Sequence, residues 1–470
     1  MGDVMVKKVF SPNEGPTRQR QRLASRFSAK VSINPAFTRR TVSYQGNKAV
    51  PGFRWMKYKE GFSQELVSRL LDYSQPMAVL DPFAGLGTTP IVAAGRGKQA
   101  MGIELMPVGV LLGSGIVCAA NGVSCQAVEQ AGQALLNHVT SARRAADQFT
   151  FPHVRITERA FPESTEQALA KARQFVAGVK PPAIRSLLNL ACLSVLEDVS
   201  YTRKDGQYLR WDFRSGRPLR AKIDKGRIVP FHEAFQARLA EMVEDIDDLK
   251  ALYGNGRPNL IAGSCLERLR EIPGRTFDMV ITSPPYANRY DYTRTYALEL
   301  AWLGFDNHAF ARLRQDLLSS TVENKTKRDW LARVYGRKQD LLAHAQRTYA
   351  KQQALHEVLG ILRSHASELS NKQIIRMLEG YFLEMSLIIA ELGRIIQPSG
   401  SVIMVNDNVQ YHGEEIPVDF ILSDFAEQAG FICTDIWLLP TGKGNSSQQM
   451  AKFGRHELRK CVYRWVRKNE

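Results

Sequence analysis

The segment from Pro76 to Leu105 constrains the fold more than any other part of the chain. An apolar strand, Met77 to Leu80, breaks into the glycine turn "LDPFAGLGTT". A helix follows from about Thr89 to Ala94, and a second strand, "QAMGIEL", comes after it. A strand, a tight turn, a helix and another strand in this order open a doubly wound, mainly parallel α/β sheet. Gly85 and Gly87 stand where strand meets helix, so the backbone there can adopt positive φ and approach a ligand closely. The turn is not a phosphate loop of the Lys-Ser/Thr kind, and Pro90 occupies the place of a third glycine. Asp81 closes the first strand, and Glu104 closes the second 23 residues later. That spacing suits an acid accepting hydrogen bonds from both hydroxyls of a ribose, and the combination points to a ribose-containing ligand.

A second local signal follows the strand "FDMVITS". In "TSPPYANRY", Pro284 and Pro285 cannot donate to a sheet ladder and so end the strand in a rigid corner. The corner displays the Ser283 hydroxyl before the prolines and the Tyr286 ring after them. Between the two signals, from about 126 to 255, the strand pattern disappears into helical segments and a basic stretch, 201–227, with nine Lys/Arg against three Asp. Strands resume with "PNLIAG". The 112 residues from Tyr286 to Gln397 contain no proline although the chain holds 21, which fits long helices. Within them Leu378, Tyr381, Met385, Ile388, Leu392 and Ile395 repeat at helical spacing. The strand "SVIMVND", a final helix–strand unit and the alternating "CVYRWV" complete the pattern.

The net charge of +16 and a pI of about 9.6 imply a polyanionic partner, nucleic acid first. Basic residues concentrate at the N-terminus, over 201–227, over 325–351 and over 443–468. In 201–227 they interleave with Tyr201, Tyr208, Trp211 and Phe213, and Arg203, Lys204 and Arg210 are the candidate DNA contacts. Six scattered cysteines without a C-x-x-C pair exclude a disulfide framework and predict no zinc site. No signal-peptide core is visible. The longest uncharged run, Pro107 to Gln126, carries Gly109, Gly113, Gly115 and Gly122 and reads as a close-packed buried helix, not a membrane span. A cytoplasmic protein is expected.

"DPFAGLGTT" followed by "TSPPY" resembles the amino-methylating DNA methyltransferases, which use S-adenosylmethionine. The family's first motif matches Asp81 through Thr89, and its catalytic Asp/Asn/Ser-Pro-Pro-Tyr/Phe motif matches Ser283 through Tyr286. The resemblance implies a Rossmann-like methyltransferase sheet with large helical insertions. It implies Ser283, Pro284, Pro285 and Tyr286 as catalytic, and Asp81, Phe83, Gly85, Gly87, Thr88 and Glu104 at the cofactor. "FRWMKYKEGFSQELVSRLL" is similar to the segment that closes over the methionine end, placing Phe62 and Ser63 there. Members often carry an acidic residue after the third strand, where this chain has Ser264. A serine in the catalytic motif usually accompanies cytosine N4 methylation of a base rotated out of duplex DNA. Adenine N6 methylation, or a non-catalytic nucleic-acid-binding partner of the same fold, are the alternatives. A separate restriction endonuclease is the implied companion. The expected organisation is a basic arm over 1–50 and a catalytic domain from 51–125, 256–305 and 376–470. Insertions at 126–255, with the candidate DNA contact, and at 306–375, for target recognition, complete it.

Overall fold

The computed structural model describes residues 17–141, 149–205, 208–440, 443–444 and 457–469. Eight strands form one sheet: β1 (Val31–Ile33), β2 (Ala78–Asp81), β3 (Gln99–Glu104), β4 (Asn259–Ala262), β5 (Phe277–Thr282), β6 (Ile396–Asp407), β7 (Phe431–Leu438) and β8 (Lys460–Arg467). Their order is β1-β7-β8-β6-β5-β2-β3-β4. Every pairing is parallel except those of β8, which runs antiparallel to both β6 and β7. The chain leaves β2 toward β3 and β4 on one side and returns with β5 on the other. That reversal opens a crevice at the carboxyl ends of β2 and β5, where open α/β sheets bind ligands.

Helices cover both faces, so β2 is buried along its whole length and reads as a continuous apolar run. Alternate residues serve separate cores. Val79, Met279 and Ile403 join the layer built by Pro107–Ala120 and Phe231–Tyr253. Leu80, Val280 and Val402 join the layer built by Ile374–Ile395 and Val418–Gln428. The helix Ile374–Ile395 buries Leu378, Tyr381, Met385, Ile388, Leu392 and Ile395, as its periodicity implies.

The helix Pro107–Ala120 is buried against the glycine turn. A Cβ at Gly109 would stand 2.5 Å from the Gly85 carbonyl oxygen, and one at Gly113 2.8 Å from that of Leu86. The glycines therefore permit a backbone-to-backbone approach. Among the described residues no helix is long and apolar enough to cross a membrane.

Two regions differ from the sequence reading. Of the expected N-terminal arm, residues 1–16 lie outside the described residues, but from Arg18 onward it is built into the fold. β1 pairs with Ile436–Leu438 and covers a sheet edge. The helix Arg18–Phe27 stacks Phe27 on Phe420 at 5.9 Å, and the buried Arg20 guanidinium pairs with Glu357 and Glu414. In the 126–255 segment, expected to lack strands, Thr202–Asp205 and Tyr208–Trp211 form an antiparallel hairpin. Its strands span only four residues each, too short to leave a periodic signal beside so many charges.

Candidate active site

At the switch point the ends of β2, β3 and β5 surround a pocket. Phe83, Gly85 and Glu104 line it together with Ser283 and Pro285. Gly85 and Gly87 have φ of +57° and +88°, the left-handed region that glycine adopts without strain. Glu104 fixes this turn: one carboxylate oxygen accepts from the Gly85 N–H and the other from the Met106 N–H, each at 2.6 Å. Burial pushes its pKa up to about 7, against the pull of those backbone bonds. Asp81 accepts the Thr282 hydroxyl at 2.6 Å and the Phe83 N–H at 3.0 Å. It thereby locks the two motifs together, and burial raises its pKa to about 6. Thr88 is buried at the start of the helix Thr88–Gly95, and Thr89 donates to the Ile281 carbonyl at 3.1 Å. Asp81, Gly87 and Thr88 thus support the pocket without lining it.

The second motif forms a braced corner. Ser283 Oγ lies 3.3 Å from the Tyr286 hydroxyl. The Tyr411 hydroxyl donates to the Ala287 carbonyl at 2.6 Å, holding the corner from beneath. The Lys460 ammonium stands 5.6 Å from the centre of the Tyr286 ring and 3.4 Å from Asp407. Burial raises the Tyr286 pKa, with the Lys460 charge opposing it. Lys460 belongs to the basic stretch 443–468; residues 445–456 of that stretch lie outside the described residues.

Phe62 and Ser63 are not in the pocket. Ser63 caps the helix Gln64–Ser74, accepting from the Leu66 N–H at 3.1 Å and donating to the Thr41 carbonyl at 2.7 Å. Phe62 is buried in the core. The same segment instead sends Tyr58 and Glu60 into the pocket. Ser264 lines it, as do Leu317 and Leu318 from the 306–375 segment. Only the approach of distant chain segments assembles these last contributions.

The candidate DNA contacts divide. Arg203 and Arg210 are exposed and face each other across the hairpin. Lys204 points the other way, because successive strand side chains alternate. Its ammonium is buried, 2.5 Å from Glu299 and 4.5 Å from the centre of the Tyr296 ring. It is a core ion pair and not a phosphate contact. Trp211 is likewise buried, with the Arg217 guanidinium 4.3 Å from its ring. Although no metal site was expected, His365, Glu368 and His412 bring candidate ligand atoms within 4.8 Å of one another near the surface.

A doubly wound sheet in this strand order, with a glycine turn, an acid on the neighbouring strand end and a Ser-Pro-Pro-Tyr corner at its switch point, is a Rossmann-like methyltransferase. No family model and no solved structure matches the chain. Curated relatives do. It is 41% identical over 468 residues to the type II methyltransferase M.AvaI of Nostoc sp., covering 96% of this chain and 93% of that one. The M.AvaI of Anabaena variabilis gives the same figures. It is 39% identical over 485 residues to the type II methyltransferase M.BsoBI of Geobacillus stearothermophilus, covering 97% and 94%. The chain belongs to the type II methyltransferase family and is a DNA methyltransferase.

Proposed function

We propose that the protein methylates the exocyclic N4 of cytosine at a specific site in double-stranded DNA, with S-adenosylmethionine as donor. A separate restriction endonuclease would then be its companion. The reading rests on one observation: the Ser283 corner and the glycine turn with Glu104 share a single pocket. That pocket suits the donor. Gly85 leaves its turn without a side chain, and Glu104 sits at the strand end where ribose hydroxyls are held.

When bound, the donor supplies an electrophilic methyl on a sulfonium. The chain must make the base amine nucleophilic, since its lone pair is delocalised into the ring. Ser283 can donate to the Tyr286 hydroxyl, 3.3 Å away, which leaves its own lone pairs for an amine N–H. The Pro284 carbonyl, freed from the ladder, can accept the second N–H. Two fixed acceptors draw the nitrogen toward a tetrahedral form and keep their aim without reorganising. The N–C bond forms as the S–C bond breaks, and an amine proton is then released. Tyr286 offers its ring to the extruded base. Serine is shorter than the acidic or amide alternatives, so the amine sits nearer the strand end, which favours the smaller pyrimidine.

Incubation with plasmid and S-adenosylmethionine, followed by mass spectrometry of the nucleosides, should yield N4-methylcytosine. N6-methyladenine alone would overturn the base while leaving the corner's role intact, and no methylated base would overturn the reaction.

A further inference from the structure

Outside the switch-point pocket, two histidines and a glutamate from separate segments meet. His365 caps the carboxyl end of the helix Gln353–Ser364. The turn after it folds back, with the Glu368 N–H donating to the His365 carbonyl at 3.0 Å. His412 comes from the turn of the hairpin that pairs Val409–Tyr411 with Glu414–Ile416. Its φ of +50° is left-handed, and the Gln410 amide fastens the turn by donating to the Gly413 carbonyl at 2.8 Å. The two imidazole rings are 4.9 Å apart, and ligand atoms of all three residues lie within 4.8 Å of one another.

Two imidazoles and one carboxylate are a donor set for zinc and its neighbours, whereas calcium and magnesium take oxygen alone. The His365 Nδ1 stands 3.0 Å from the Ile361 carbonyl oxygen. That oxygen can only accept, so Nδ1 carries the ring proton and Nε2 keeps the lone pair. A backbone carbonyl in this role is a usual outer partner of a metal-binding histidine. The His412 Nε2 and a Glu368 carboxylate oxygen are 3.7 Å apart, beyond an ordinary hydrogen bond. Two bonds of about 2.1 Å at a tetrahedral angle hold their ligand atoms roughly 3.4 Å apart. An ion between them therefore needs only a small contraction. The Glu368 side chain is 51% exposed, so it can turn toward the ion and water can reach the remaining position.

We propose that His365, Glu368 and His412 bind a divalent cation of the zinc type, with water completing its shell. Its place gives it a structural consequence. Tyr411, beside His412, donates to the Ala287 carbonyl at 2.6 Å behind the Ser283 corner. Ser370, just after Glu368, accepts from the Arg289 guanidinium at 3.1 Å. The ion clips the turn after the helix Gln353–Ser364 to the hairpin that braces the corner. Neither the donor nor the target base enters this inference.

Calorimetric titration of the untagged full chain with zinc tests it. A single ion should bind each chain, and the unfolding temperature should rise with zinc concentration. His365→Gln and His412→Asn should each weaken zinc by at least about tenfold, the low end of what losing even an outer partner costs. Asparagine tolerates the left-handed backbone at 412. Glu368→Gln, at an exposed side chain, repeats the test should a histidine variant fold poorly. The cobalt-loaded protein should show no thiolate charge-transfer band, which separates this site from the six cysteines. Absence of zinc binding, unchanged affinity in the variants, or a thiolate band would each overturn the proposal.

Discussion

The glycine turn after β2 and the basic hairpin 202–211 are equally dense in functional signals, and they behave differently once folded. In the turn, the proposed role falls on backbone: Gly85, Gly87 and the N–H groups held by Glu104 sit where the strand ends, whatever the side chains nearby. In the hairpin, the proposed DNA contact depends on which way each side chain points. Arg203 and Lys204 are neighbours in sequence, yet one is exposed and the other is buried against Glu299. More of the basic stretch is also turned inward, with Arg214 on Asp212 and Lys225 on the Ser200 carbonyl. Motifs made of backbone survive translation from sequence to structure. Motifs made of charge depend on the parity of a strand.

Lys204→Ala should break this contrast most forcefully. It leaves the Glu299 carboxylate buried and unpaired, and chemical denaturation should show a loss of about 3–5 kcal/mol. A loss below about 1 kcal/mol would return Lys204 to the surface set. On the other side, Ser283→Ala should reduce the methylation rate by about 10²-fold, the scale for removing one preorganised group. Calorimetry should find donor binding retained, and full activity would remove Ser283 from the reaction.

A pH series sharpens the comparison further. Glu104 has its pKa raised to about 7 from an ordinary 4.5. Its contribution to stability is therefore full below about pH 4.5 and is lost as pH rises through 7. Between pH 5 and pH 8 the ligand-free protein should lose on the order of 1–3 kcal/mol relative to Glu104→Gln, read from paired unfolding curves. Parallel curves would contradict the burial argument. The smallest effect belongs to the exposed pair. Arg203→Ala with Arg210→Ala should change stability by less than about 0.5 kcal/mol. It should lower the salt dependence of DNA binding by about 0.9 for each phosphate no longer neutralised. An unchanged slope would move the DNA-binding surface off this hairpin.

What the sequence made legible follows the same division. The sheet, the crossover after β2 and the helix Ile374–Ile395 were readable because buried periodicity fixes them locally. Glu104 and Ser283 were readable because their places at strand ends follow from topology. A serine before a helix serves as a cap as readily as a ligand contact, and Ser63 here caps the helix that follows it. Tyr58 and Glu60, a few residues earlier, carried no motif of their own. Leu317 and Leu318 reach the pocket from an inserted segment, a long-range approach with no local trace. β1 was hidden in a stretch where thirteen basic residues among the first sixty outweighed a three-residue strand.

The strand order also sets a timetable. Val79 pairs with Ala100 on one side and with Met279 on the other. The first pairing closes a short crossover, whereas the second must wait for a segment several times longer. The difference in closure entropy is only roughly 2 kcal/mol, so the long insertion is thermodynamically tolerable. Its effect falls on speed, because distant pairings are reached slowly. A chain growing from its N-terminus can complete the glycine turn long before residue 283 exists. β5 then has to enter beside β2, with β6 following on its far side. The Ser283 corner is therefore completed only after the glycine turn beside which it comes to lie.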